Sequence, residues 1–157
     1  MEALVNRPDF SALSTTEKYE SYVTVRVGGQ LIGISVLTVQ DVMRQLGIAK
    51  VPLSPREIAG LLNLRGRIVT VIDMRVRLNL PAHKLDDKSV MHVVVEYHDE
   101  LFSLMVDSIG DVLNLPASKI EKVPANLEAH WRDVALGVSR LSGELLIILD
   151  VQSLLTF

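Results

Sequence analysis

Alternation dominates the apolar and polar positions from Tyr22 onward. Val23, Val25 and Val27 share one face of the run 22–27, with Thr24 and Arg26 between them, the period-two pattern of a half-buried strand. Gly28-Gly29 then supplies a turn, because glycine accepts positive φ, and residues 31–35 return as the second strand of a hairpin. The period changes at Val36. Val36, Val39, Val42 and Met43 fall at helical spacing with Gln40, Asp41 and Arg44 opposite, which predicts a short amphipathic helix over 36–45 ended by Gly47. Pro52 and Pro55 mark a rigid connection. Residues 58–64 are apolar again and close on Asn63-Leu64-Arg65-Gly66, a strand end and turn. The run 68–72 is nearly continuously apolar and predicts a strand buried on both faces. Asp73 stops it and is placed to cap a short helix through Leu78.

After a polar connection at 81–88, the second half repeats the plan. Residues 90–97 predict a strand, His98-Asp99-Glu100 a turn, and 101–106 the returning strand. Residues 109–115 are apolar, whereas 117–130 contain Pro124 and little periodicity. A last hairpin spans 134–141 and 145–149 around Ser142-Gly143, and Asp150 precedes a short terminal helix over 151–155. Residues 1–20 carry no period, with Pro8, Asp9, Ser11, Ser14, Thr15 and Thr16 interrupting; they are expected to form a flexible tail ahead of one domain at 21–157.

Two internal matches point to duplication. Gly60, Leu64, Gly66 and Asp73 recur 77 residues later as Gly137, Leu141, Gly143 and Asp150. Ile34, Val36, Val39, Asp41 and Val42 recur 70 residues later as Leu104, Val106, Ile109, Asp111 and Val112, in the same order. Each half is then expected to be a small barrel of short antiparallel strands, since closure removes exposed sheet edges. So small a unit buries little core alone. Two halves would share one, and the crease between them would receive a partner.

Composition narrows the function. Apolar residues are 48% of the chain but aromatics only 4%, so Val, Leu and Ile must build the core, which favours sheet. Sixteen basic and 19 acidic residues leave a formal charge of −3, without the basic excess of a nucleic-acid binder. There is no cysteine, which excludes disulfides and thiolate metal sites. Glu2, Arg7 and Asp9 break any signal-peptide core at the start, and no apolar run approaches the ~18 residues of a membrane span. A soluble intracellular protein is expected, one that meets a membrane only through a partner.

Residues for catalysis or cofactor binding do not assemble. His83, His92, His98 and His130 form no HExxH or other ligand spacing, so no metal is expected. His92 reads as a packed or surface residue of a strand; His83 and His98 lie in predicted turns, where solvent exposure is the plain reading. No GxSxG, Walker or GxGxxG sequence occurs, and Ser139 and Ser142 have no nucleophile context. Asp73 and Asp150 could be imagined as a catalytic pair, but their equivalent places in the repeats favour strand termination and capping. Lys119, Lys122 and Arg132 make no basic run with interleaved aromatics. Arg65 stands out, a guanidinium between an apolar segment and a glycine that must face solvent or find a carboxylate. Asp41 is the candidate partner. Two readings of Arg65 stay open: an exposed turn arginine, or a fixed positive group on a recognition surface. A small-ligand or oligonucleotide-binding β-barrel is the alternative function, and it would need a pocket or a basic aromatic face that the composition does not supply.

The run Gly60-Leu-Leu-Asn-Leu-Arg-Gly66, followed by Arg-Ile-Val-Thr-Val-Ile-Asp73, resembles the signature of CheW domains. So do Ile34-Ser-Val-Leu-Thr-Val-Gln-Asp-Val42 and its counterpart Leu104-Met-Val-Asp-Ser-Ile-Gly-Asp-Val112, and the likeness covers roughly residues 20–156. It implies a mainly β fold of two five-stranded SH3-like barrel lobes sharing a core, with short helices. It also implies a non-catalytic, cytoplasmic adaptor at the membrane-associated receptor array. Its partners would be chemoreceptor cytoplasmic tips, the regulatory domain of the histidine kinase CheA, and other copies of such an adaptor. By motif, the receptor-binding crease includes Val39, Gly60, Arg65, Val90 and Ile109, with Asp41 pairing with Arg65; Ser103 stands where some members carry glycine. CheW-like domains also occur within CheA and CheV. This sequence contains no kinase, phosphorylation or receiver domain, so a free-standing coupling protein is expected.

Overall fold

Strand alternation sorts the side chains into three apolar layers. The computed structural model describes residues 17–44, 47–84 and 86–157. In chain order it has β1 (Tyr19–Val27), β2 (Gln30–Ser35), β3 (Val39–Arg44), β4 (Ile58–Leu64), β5 (Arg67–Asp73), α1 (Met74–Arg77), β6 (Met91–Tyr97), β7 (Glu100–Val106) and β8 (Ser108–Pro116). A 3-10 turn (Ala117–Lys119), α2 (Ala129–Arg132), β9 (Ala135–Leu141), β10 (Glu144–Leu149) and α3 (Val151–Leu154) follow. The strands form two five-stranded sheets, ordered β8-β1-β2-β10-β9 and β3-β6-β7-β5-β4, each the sheet of one SH3-like lobe.

Central strands are buried on both faces, which is why their sequences run apolar almost without a break. Ile32, Ile34, Ile147 and Leu149 of the first sheet meet Ile72, Val93, Val95 and Leu104 of the second in the shared core. The alternate residues turn into the lobes' own interiors: Tyr22, Leu31, Leu146 and Ile148 in the first, Val69, Val71, Val94 and Met105 in the second. The run 68–72 is doubly buried only in part, because Ile68 is 63% exposed at the start of β5.

The expectation of one antiparallel barrel per half is corrected. The second lobe is the contiguous stretch β3–β7, whereas the first is built from both ends of the chain, β1–β2 with β8–β10. Each lobe thus mixes strands from both repeats. In each, a strand of one hairpin runs parallel to a strand of the other, β2 with β10 and β5 with β7. Parallel neighbours need a long crossover, and the intervening chain supplies it.

The repeats do occupy equivalent places. The bulge between Ile58 and Gly60 on β4 has its counterpart between Ala135 and Gly137 on β9. A single bridge flanks each, Ala49 with Leu61 and Glu121 with Val138. Asp73 and Asp150 cap α1 and α3, accepting from the N–H of Arg75 and of Ser153.

Two other expectations change. Residues 36–45 are not a helix: Val36–Thr38 form a turn, Val39–Arg44 are edge strand β3, and Gln45 lies outside the described residues. Val39 and Val42 are β-branched, and pairing with β6 outweighs a helical spacing only a few residues long. Of the expected tail, residues 1–16 lie outside the described residues, while Tyr19 and Glu20 already belong to β1. Among the described residues no helix is long and apolar enough to cross a membrane.

Candidate functional site

Asp41 lies on β3 and Arg65 in the turn after β4, the two edge strands of the second sheet. An ion pair of 2.9 Å joins them, so this sheet curls until its edges meet. The Arg65 side chain is 76% exposed and that of Asp41 25%. Arg65 has positive φ (51°), as does Gly66 (85°), and Asn63 Oδ1 accepts the Gly66 N–H at 2.9 Å. The turn thus presents the guanidinium outward and the carboxylate steadies it. Val42, beside Asp41, and Ile68, beyond the turn, are exposed apolar neighbours in sequence.

The remaining crease residues divide. Val39, two residues from Asp41, and Ile109 on β8 are partly buried against the shared core, one from each lobe. Gly60 is buried, and its φ of 154° and the carbonyl of Ala49 leave no room for a side chain. Val90 is 1% exposed and packs inside the second lobe. Gly60 and Val90 therefore shape the lobe and have no side-chain surface to offer.

A second set of charged residues was not legible in the sequence. His83, expected to be solvent-exposed, has a side chain only 5% exposed. Its Nδ1 lies 2.6 Å from Asp73 Oδ1 and its Nε2 lies 2.6 Å from Asp107 Oδ1. Asp107 also accepts from Arg75 Nε and Nη2, both at 2.8 Å, and from the Gly28 N–H at 2.8 Å. Burial raises the Asp107 pKa, but the bonds from Arg75, Gly28 and His83 outweigh it and hold the carboxyl down at about 2. Asp73 is likewise raised by burial and pulled below its ordinary value by His83. Both carboxylates thus stabilise the fold above their unfolded values near 3.8, and that contribution is lost as pH falls through their lower folded values. The melting temperature should accordingly fall with acid down to about pH 2, and more shallowly in Asp107→Asn; a parallel fall in both proteins would remove Asp107 from the acid response.

His92 and His98 follow their expectations. His98 is exposed in its turn and His92 is buried in β6. Burial, then the charge of His83, lowers the His92 pKa to about 4, and its Nδ1 lies 2.6 Å from the Ser103 hydroxyl. The Ser103 hydroxyl, fully buried on β7, thereby has a partner.

Lobes and surface together define a mainly β protein of two five-stranded lobes, with an exposed arginine turn braced by a carboxylate. The CheW-like domain model matches residues 21–157, and by that match the chain belongs to the CheW-like family. "Chemotaxis protein CheW" of Bacillus subtilis (strain 168) is 31% identical over 137 residues, 87% of this chain and 86% of that protein. The Klebsiella aerogenes protein of the same name is 28% identical over 137 residues, 87% of this chain and 82% of its own. The crystal structure of scaffolding protein TtCheW from Thermoanaerobacter tengcongensis superposes with a TM-score of 0.80 at 24% identity, covering 89% of this chain and 94% of that one. Membership places the protein among the adaptors of chemotaxis signalling.

Proposed function

We propose that this chain is a non-catalytic coupling protein that binds chemoreceptor cytoplasmic tips and the regulatory domain of CheA, and so works at the receptor array on the cytoplasmic face of the membrane. The family match across 21–157 carries this reading. Arg65, Val39 and Ile109 form the receptor-facing surface, Asp41 holds Arg65, and Gly60 and Val90 support them from beneath. The receptor segment would lie as a helix against the partly buried apolar side chains, with Arg65 meeting its acidic or polar flank. Contacts of micromolar strength, about −8 kcal/mol, suffice when an array raises effective concentration. Signalling then requires receptor states that bind or place the adaptor differently.

Pull-downs of the purified protein with a receptor cytoplasmic fragment and, separately, with the CheA regulatory domain test this. Both should bind. Arg65→Glu should weaken receptor binding at least about tenfold, since it reverses a charge and sets it against Asp41. Its fold should survive, because the Arg65 side chain is largely exposed. Equal receptor binding by the variant would remove Arg65 from the surface. Binding to neither fragment, where an established coupling protein binds both, would remove the adaptor reading itself.

A further inference from the structure

A neutral imidazole has one N–H and one lone pair, so it can donate to only one acceptor. Both ring nitrogens of His83 lie 2.6 Å from carboxylate oxygens, and an ionised carboxylate has nothing to donate. A proton on either Asp would resolve this only against the other bonds those groups accept: Asp107 takes three from Arg75 and Gly28, and Asp73 takes the N–H groups of Arg75 and His83. The arrangement is satisfied by an imidazolium. Asp73, Asp107, Arg75 and His83 then sum to zero charge.

The cluster also spans the two lobes. Asp73 and Arg75 come from the end of β5 and α1, His83 from the connection to β6, and Asp107 from the link between β7 and β8. The Gly28 N–H that Asp107 accepts belongs to the β1–β2 turn of the first lobe. Leu80, three residues before His83, fills the space beside Gly28: a Cβ built there would lie 2.5 Å from Leu80 Cδ1. We propose that His83 is a proton-gated clip between the lobes, charged and closed through the neutral range, whose deprotonation in alkali frees residues 80–84 and loosens their hold on the β1–β2 turn.

Without the proton, a nitrogen lone pair faces a carboxylate oxygen at 2.6 Å and the cluster is left with one uncompensated negative charge. Asp107 keeps Arg75 and Asp73 keeps the Arg75 N–H, so His83 is the member that leaves. Other charges nearby are Lys84 and Asp87 on its own segment, and Lys50 and Arg56, which line the opening on one side of the ring. His92 lies on β6, and burial keeps it neutral. Burial lowers the His83 pKa, but bonding to Asp73 and then Asp107 raises it above its ordinary 6.5. Its stabilisation is therefore complete below that value and is lost as pH rises through the higher folded value.

Long-range nitrogen–proton NMR on the full chain reads the ring directly. His83 should show two protonated nitrogens at neutral pH and one in alkali. At the same alkaline step, amide exchange at Gly28 should quicken about tenfold beyond the ordinary base-catalysed rise. In His83→Gln the alkaline decline of the melting temperature should become shallower, leaving the part due to other groups such as the buried Tyr22. A singly protonated His83 at neutral pH overturns the proposal, as does an alkaline decline equally steep in the variant. Should the variant not fold, the wild-type spectrum decides by itself.

Discussion

Asp107→Ala is expected to cost about 3 kcal/mol of folding stability. The carboxylate is the common acceptor of Arg75, His83 and the Gly28 N–H, and three of these bonds come from cations. Removing it leaves a guanidinium two-thirds covered and an imidazole almost wholly covered, with one carboxylate between them. Deleting one partner of a covered ion pair costs more than the pair contributes, because the remaining charge keeps its desolvation penalty. Urea denaturation measures the loss. A change below about 1 kcal/mol would mean that water replaces the carboxylate, and the cluster would then not join the lobes.

Gly60→Ala is expected to cost about as much, roughly 3 kcal/mol, through overlap and strain. The new Cβ would lie 2.4 Å from the Ala49 carbonyl oxygen and 2.6 Å from Ile48 Cγ2, at a φ of 154°. Ala49 cannot step aside cheaply, since it exchanges two 2.8 Å backbone hydrogen bonds with Leu61. Gly66→Ala supplies the comparison: its φ is 85°, yet nothing lies within 4 Å, so only conformational strain of about 1 kcal/mol is expected. Equal losses in the two variants, measured by thermal or urea unfolding, would show that crowding at Ala49 is not what fixes Gly60. If Gly60→Ala is the costlier variant, a receptor-binding defect in it would follow from a distorted lobe and not from a lost contact.

The sequence disclosed the features that depend on near neighbours. The hairpin turn at Gly28-Gly29, the Asp73 and Asp150 caps and the strand alternation all follow from residues within a few positions. The pairing of Asp41 with Arg65 was reached by asking which carboxylate could meet a conspicuous guanidinium, although the helix expected to carry Asp41 is strand β3. His83 was hidden by its setting, since a polar connection reads as solvent-exposed. Its partners are 10 and 24 residues away and converge only when β5, α1 and β7 are assembled. Segment 36–45 was misread because four apolar positions fit a helix and an edge strand nearly equally, and the choice belongs to β6. The mixing of repeats between lobes was invisible for a related reason. A strand with two apolar faces has the same sequence whichever neighbour it pairs with.

That mixing bears on the order in which a ribosome delivers the chain. The lobe formed by β3–β7 is complete once residue 106 has been made. The β1–β2 hairpin, although synthesised before that lobe, must wait for β8 on one side and β10 on the other. During that interval both its edges and its apolar faces lack their final partners, the condition in which strands pair with the wrong chain. The inner lobe offers the waiting hairpin an early apolar wall through the shared core. A hairpin made before the inner lobe is thus finished after it, and its safety during synthesis rests on the lobe made in between.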